Sequence, residues 1–199
     1  MNAQNKNNIA VFASGTGTNA DNLINYFNKT QTATVCLIVC NNPNAGVIKI
    51  ADRNHIPYIL IDKQKFFKGD AYVPELKKAH IDFIVLAGFL WKLPSTLINA
   101  YRDKIVNIHP ALLPKFGGKG MYGNFVHEAV LSAKEKESGI TIHFVDEFYD
   151  NGKTIFQTTC PVYENDTTET LAKRIHELEY KYFPKVIEEV IGMSTNRNE

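Results

Sequence analysis

Short apolar runs alternate with amphipathic stretches along this chain. NIAVFA (8–13) is β-rich and ends in the turn SGTGT, after which NADNLINYF sets Leu23, Ile24 and Phe27 on one helical stripe. A strand, a loop and a helix are predicted. The alternation continues with TVCLIVC (34–40) as a strand, AGVIKIADRN as a helix, PYILI (57–61) as a strand and AYVPELKKA as a helix. IDFIVLAG (81–88) is too apolar to keep a wet face, and IVNIH (105–109) is the next strand. ESGITIHFV (137–145) and KTIFQTTCPV (153–162) pair through the turn DEFYDNG. TETLAKRIHELEYKYFPKVIEEVI has helical period, and Pro184 is expected to kink or divide it. Uninterrupted apolar strands belong in a parallel sheet covered by helices on both sides. The expected fold is therefore α/β: an open, mostly parallel twisted sheet with helices on both faces and an antiparallel strand toward the C-terminal part. With no linker, repeat or low-complexity tract, a single domain over residues 1–199 is expected, ordered from about 8 to 192 with loose ends at 1–7 and 193–199.

Composition narrows the function classes. The 199 residues, 44% hydrophobic, can bury one sizeable core, and 22 Lys+Arg against 21 Asp+Glu predict no nucleic acid or other polyanionic partner. The N-terminus MNAQNKNNIAVFAS lacks the pattern of a secretory signal, and no stretch approaches the roughly 18 apolar residues of a membrane span, so a cytoplasmic protein is expected. Cys36, Cys40 and Cys160 lack the paired spacing of a zinc site and read as buried, reduced thiols; no metal site is expected.

Two stretches carry candidate chemistry. GTGTNA (15–20) follows a strand and opens a helix, so the first-turn N–H groups and the positive helix end can hold a phosphate, with Asn19 suited to the N-cap. It is also GxGxxA, a variant of the dinucleotide fingerprint, which wants an acidic residue about 20 positions on. Cys40, Asn41 and Asn42 stand there instead, which makes a single phosphate group a better ligand than a nicotinamide cofactor. A tight βα turn without any ligand is the alternative. In the strand IVNIH, Asn107 and His109 are two residues apart and share a face at its carboxyl end, where ligands of open α/β sheets gather. Both can donate hydrogen bonds to one oxygen that gains negative charge, as acyl transfer requires, and His109 can also carry a proton near neutrality. Pro110 and Pro114 stiffen the loop that follows. A histidine that merely caps the strand end fits the same spacing. DEFYDNGK (146–153) offers Asp146, Glu147 and Asp150, any of which can orient an imidazole or accept a proton through water, although Asp-Asn-Gly is also an ordinary hairpin turn.

Taken in order, FASGTGTN, VLAGFLWKLP, VNIHPALLPKFGGKGMYGNFVHEAV and SGITIHFVDEFYDNGKTIFQ resemble the glycinamide ribonucleotide formyltransferase family of folate-dependent enzymes over roughly residues 8–190. The third and fourth stretches are specific to folate-dependent formyltransferases as a group. The resemblance implies a Rossmann-like formyltransferase fold. It also implies that a formyl group passes directly from the co-substrate 10-formyltetrahydrofolate to the amine of glycinamide ribonucleotide, in purine synthesis, with no metal and no covalent enzyme intermediate. On the same resemblance Asn107, His109 and Asp150 match the catalytic trio, Gly17, Thr18 and Asn19 the phosphate contacts, and Glu179, in HELEYKYFP, a carboxylate that holds the glycinamide amine. Folate is expected between LAGFLWKLP and the DEFYDNG loop, read by backbone groups around Leu90, Trp91 and Leu93 and in residues 146–150, which include Asp146, Glu147, Phe148 and Tyr149. Trp91 departs from the family pattern, since a basic residue is frequent there. The GGKGMYGN stretch (117–124), longer than in many relatives, reads as a mobile flap that includes Lys119 and Met121. His127 and His143 match family positions near the site, yet His143 lies in an alternating strand and reads as a structural histidine.

Rival readings differ in length and charge. Methionyl-tRNA formyltransferases share the Asn-x-His strand but normally continue into a basic tRNA-binding domain, and formyltetrahydrofolate hydrolases normally carry a preceding regulatory domain. Against sugar-nucleotide formyltransferases the main argument is the phosphate loop GTGTN. A non-catalytic nucleotide-binding module would not need Asn107, His109 and Asp150 together. The partners expected are small molecules, for a monomer or homodimer.

Overall fold

In the computed structural model, which describes residues 6–195, the alternation within each apolar strand sorts its side chains between two helical layers. β1 (Asn7–Ala13) sends Ile9, Val11 and Ala13 into one core and Ala10 and Phe12 into the other. β4 (Phe83–Leu86) divides in the same way, Phe83 and Val85 against Ile84 and Leu86. The first core lies under α1 (Thr18–Thr30), α2 (Gly46–Arg53), α6 (Asn124–Ser132) and α7 (Thr168–Thr195). The second lies under α3 (Lys63–Lys68), α4 (Val73–Lys78) and α5 (Ser95–Ala100).

With β2 (Ala33–Cys40), β3 (Tyr58–Leu60), β5 (Ile105–His109), β6 (Glu137–Phe144) and β7 (Thr154–Pro161), the strands form a seven-stranded sheet in the order β3-β2-β1-β4-β5-β6-β7. The pairings from β3 across to β5 are parallel, and β5-β6 and β6-β7 are antiparallel. The α/β sheet read from the sequence is the one observed. Its chain order reverses between β1 and β4, the kind of switch point beyond whose carboxyl ends ligands of open sheets bind.

Several local expectations are corrected. β3 is three residues rather than five, an edge strand with only Ile59 half-buried. Helices α3, α5 and α6 were not anticipated. Pro184 does not divide the last helix, which runs unbroken to Thr195. Proline has no N–H for the carbonyl four residues back, that of Tyr180, and Asn22 Nδ2 of α1 donates to that oxygen at 3.0 Å. Buried Phe183, Val186 and Ile187 meanwhile hold this part of the helix on the sheet. The expected loose ends fall largely outside the described residues; within them, Asn7 begins β1 and residues 193–195 end α7. Cys36, Cys40 and Cys160 are free thiols, half-buried in the first case and buried in the others, and burial raises the pKa of each. No described helix is long and apolar enough to cross a membrane.

Candidate active site

Beyond the carboxyl ends of β1, β4 and β5 lies a cavity of about 660 Å³. The glycine loop forms one end. Gly17 has φ +82°, and a Cβ there would stand 2.7 Å from the Cα of Val47, so only glycine lets the loop lie against α2. Gly17, not Asn19, is the N-cap of α1, because its left-handed backbone turns the chain two residues earlier than the sequence indicates. No side chain caps this helix, so its first N–H groups are left for water or a ligand. Asn19 lies in the first turn, and its Nδ2 donates to Glu179 Oε2 at 2.9 Å.

Glu179 reaches the cavity from α7 and is buried at 5% exposure. Its Oε2 also accepts from His176 Nδ1, one helical turn earlier, at 2.9 Å, and this bond raises the His176 pKa. The oxygen of the Asn19 amide and Nδ1 of buried His127 have no protein partner, and both residues line the same cavity. Burial pushes the His127 pKa down to about 4.

The opposite wall comes from β5 and its antiparallel neighbour. Asn107 and His109 share a strand face, and the register sets His143 opposite Asn107 and Thr141 opposite His109. His109 Nε2 lies 2.8 Å from the Phe116 carbonyl oxygen. A carbonyl can only accept, so Nε2 carries the hydrogen, and Nδ1 faces Asp150 Oδ2 at 3.6 Å. Asp150, at φ +52° in the β6–β7 loop, also lies 3.7 Å from His143 Nε2 through Oδ1, and Oδ2 accepts from Gly118 N at 2.9 Å. Burial lowers the His109 pKa, opposed chiefly by the Asp150 charge. For Asp150, burial raises the pKa but is outweighed by His143, His109 and the Gly118 N–H, and the carboxyl stays below its ordinary value. The arrangement sets an amide donor, an imidazole and an ionised carboxylate around one space.

The expected folate residues divide. Leu90 and Tyr149 line the cavity, although the Leu90 N–H is already spent on Ser14 Oγ at 2.9 Å. Trp91 packs on Phe66, Phe67 and Phe89, and Leu93 is buried in the second core; neither lines the cavity. Asp146 closes its own loop by accepting from Phe148 N and Asn151 Nδ2, while Glu147 and Phe148 are exposed outside the cavity lining. Residues 118–123 of the glycine-rich stretch form another wall, which brings Lys119 and Met121 to the cavity. His143 is buried like a structural histidine but sits beside the expected trio. His176 and Thr141 are site residues that the sequence alone does not single out, although the three-residue spacing of His176 from Glu179 is an available signal. Among the described residues, no group of three or more His, Cys, Asp or Glu is arranged to hold a metal ion.

A family model for the formyl transferases matches residues 7–187. A phosphoribosylglycinamide formyltransferase of Bacillus subtilis is 37% identical over 196 residues, covering 96% of this chain and 97% of the relative. The chloroplastic phosphoribosylglycinamide formyltransferase of Arabidopsis thaliana is 41% identical over 192 residues, or 90% of this chain. The chain spans 63% of that relative's length, and 59% of its counterpart in Vigna unguiculata. Among solved structures, the phosphoribosylglycinamide formyltransferase of Bacillus halodurans superposes with a TM-score of 0.85 at 36% identity, covering 92% of this chain and 95% of that one.

Proposed function

This chain belongs to the formyl transferase family, and we propose that it transfers the formyl group of 10-formyltetrahydrofolate to the amine of glycinamide ribonucleotide in purine biosynthesis. The observation that carries the reading is the meeting of Asn107, His109 and Asp150 on one wall of a cavity whose far end is the glycine loop and Glu179. The names of the bacterial and chloroplastic relatives support the choice of acceptor.

In this reading the amine nitrogen attacks the formyl carbon and the carbonyl oxygen becomes an oxyanion. The Asn107 amide donates to that oxygen, a contribution typically of about 3–4 kcal/mol to the barrier. His109 is neutral because it is buried, and its Nδ1 is the free basic nitrogen. The proton lost by the attacking nitrogen passes to the His109–Asp150 pair, and protonated His109 adds its charge to the support of the oxyanion. The same proton goes on to the folate nitrogen as its bond to the formyl carbon breaks. Gly17, Thr18 and Asn19 hold the ribonucleotide phosphate, Glu179 holds the amine end before attack, and the folate ring lies by Leu90 and Tyr149. We place the activity in the cytoplasm, in a single catalytic domain acting on small molecules.

The test is formyl transfer from 10-formyltetrahydrofolate measured with glycinamide ribonucleotide beside competing amines, including an amino sugar nucleotide. Preferred turnover of glycinamide ribonucleotide is expected; preferred turnover of another amine would overturn the choice of acceptor. A folate analogue and the ribonucleotide should each raise the melting temperature, whereas NAD should leave it unchanged.

A further inference from the structure

A buried histidine outside the proposed trio has both of its ring nitrogens accounted for. His143 is 2% exposed and stands opposite Asn107 in the β5–β6 register. Its Nδ1 lies 2.8 Å from the carbonyl oxygen of Phe144, which can only accept, so Nδ1 carries the ring hydrogen of the neutral form. Nε2 then presents a lone pair, and Asn107 Nδ2 meets it at 3.1 Å, nearer than Asp150 Oδ1 at 3.7 Å. An amide can turn end for end at almost no steric cost. Only its nitrogen, however, can donate to a lone pair, so this contact selects which end of Asn107 occupies each position.

We infer that His143 is the positioning residue that fixes the amide of Asn107. It takes one N–H and leaves the second for the developing oxyanion. With the lone pair absent, the amide would be free to turn its oxygen toward the oxyanion, where it repels, and the donor would be lost for part of the time. The inference rests on the formyl-transfer reading, since it assigns a partner to that reading's donor. It also gives a reason for the burial of a polar ring opposite Asn107.

The test is a double-mutant cycle on the full chain with His143→Leu, His143→Gln, Asn107→Ala and Asp150→Asn, read as kcat and KM for formyl transfer. His143→Leu removes the acceptor at similar bulk, and His143→Gln can offer a carbonyl oxygen to the same amide. We expect His143→Leu to lower kcat by about 10- to 100-fold, less than the full loss of an oxyanion donor, with KM for folate changed less than about threefold. His143→Gln should recover most of the loss, and His143→Leu should cost little more once Asn107 is alanine. Equal losses in the wild-type and Asn107→Ala backgrounds would overturn the inference, as would coupling to Asp150 alone or a glutamine variant no better than leucine. If Asn107→Ala itself leaves kcat unchanged, the formyl-transfer reading fails first. Melting temperatures of all variants separate a loss of folding, which would act equally in each background, from a loss of alignment.

Discussion

Thr141→Val tests whether the loop behind the imidazole is held by a single hydroxyl. Thr141 is fully buried, and its Oγ1 donates to the Ala111 carbonyl at 2.6 Å while accepting from Leu113 N at 3.0 Å and Gln157 Nε2 at 2.8 Å. Valine keeps the shape and removes all three bonds. Gln157 has a second acceptor in the Leu113 carbonyl at 3.0 Å and loses little. The Ala111 carbonyl belongs to a fully buried residue, and Leu113 N is partly buried. At about 1–3 kcal/mol for each buried group left unpaired, with the Leu113 amide at the low end, the expected cost is about 2–4 kcal/mol. That is a large share of the roughly 5–15 kcal/mol by which a domain is stable.

The same loop runs from His109 to Phe116, whose carbonyl fixes the His109 ring, so the damage should reach catalysis. Denaturant unfolding should show a lower midpoint at an unchanged slope. Turnover should fall by about tenfold or more with KM for the ribonucleotide changed less than about threefold, because a displaced ring costs rate more than ground-state binding. Thr141→Ser keeps the hydroxyl and should restore both. A valine variant within about 0.5 kcal/mol of the parent would show that the hydroxyl does not hold the loop. Normal turnover in a destabilised valine variant would refute the link between loop and ring.

Other changes test the remaining parts of the site. Burial lowers the His109 pKa and Asp150 opposes it, so Asp150→Asn should lower that pKa further and move the acid limb of the kcat/KM profile to lower pH; an unmoved limb would reduce Asp150 to a turn residue. Asn19→Ala should raise KM for the ribonucleotide much more than for the folate, and an equal rise in both would contradict the assigned phosphate end. His127 titrates at about 4 in the fold against an ordinary 6.5, so its contribution is complete above pH 6.5 and drains away as pH falls toward 4. From this group alone, stability at pH 5 should be about 2 kcal/mol below that at pH 7.5, and His127→Gln should remove that part of the pH dependence. Equal pH dependence in both proteins, measured by urea unfolding, would place the loss elsewhere.

Much of the fold is legible because two-residue periodicity and unbroken apolar runs report burial on one face or two, as in β1 and β4. Two of the three helices that escaped notice are short. α3 and α5 have six residues each, and α3 rests on the single buried side chain of Phe66 and α5 on Leu97 and Ile98. Segments so short are held by tertiary packing rather than by a periodic stripe. The pairing of Asn107 with His109 is visible for the same reason as the strands, since residues two apart share a face. Their cross-strand partners are not. His143 lies 36 positions from Asn107, and only the β5–β6 register makes them neighbours. Asn19 misled because a side chain suited to a cap was displaced by the left-handed backbone at Gly17, and Pro184 because its missing bond is compensated from another helix.

The two histidines beside Asp150 differ because the backbone assigns their hydrogens oppositely. His109 gives its Nε2 hydrogen to Phe116 and turns Nδ1 to one carboxylate oxygen, whereas His143 gives its Nδ1 hydrogen to Phe144 and turns Nε2 toward the other. At 3.6 and 3.7 Å neither contact to Asp150 is a close hydrogen bond in the neutral state. Burial resists a charge on His109, and the ionised carboxylate invites one. A proton arriving at Nδ1 therefore meets opposed forces, which suits a group that must accept it and then release it. His143 has its lone pair committed to Asn107, so in the proposed reaction the two rings would divide the work: one would move the proton, and the other would keep the amide aimed. On this argument the identity of each ring follows less from its being histidine than from which of its nitrogens a backbone carbonyl has claimed.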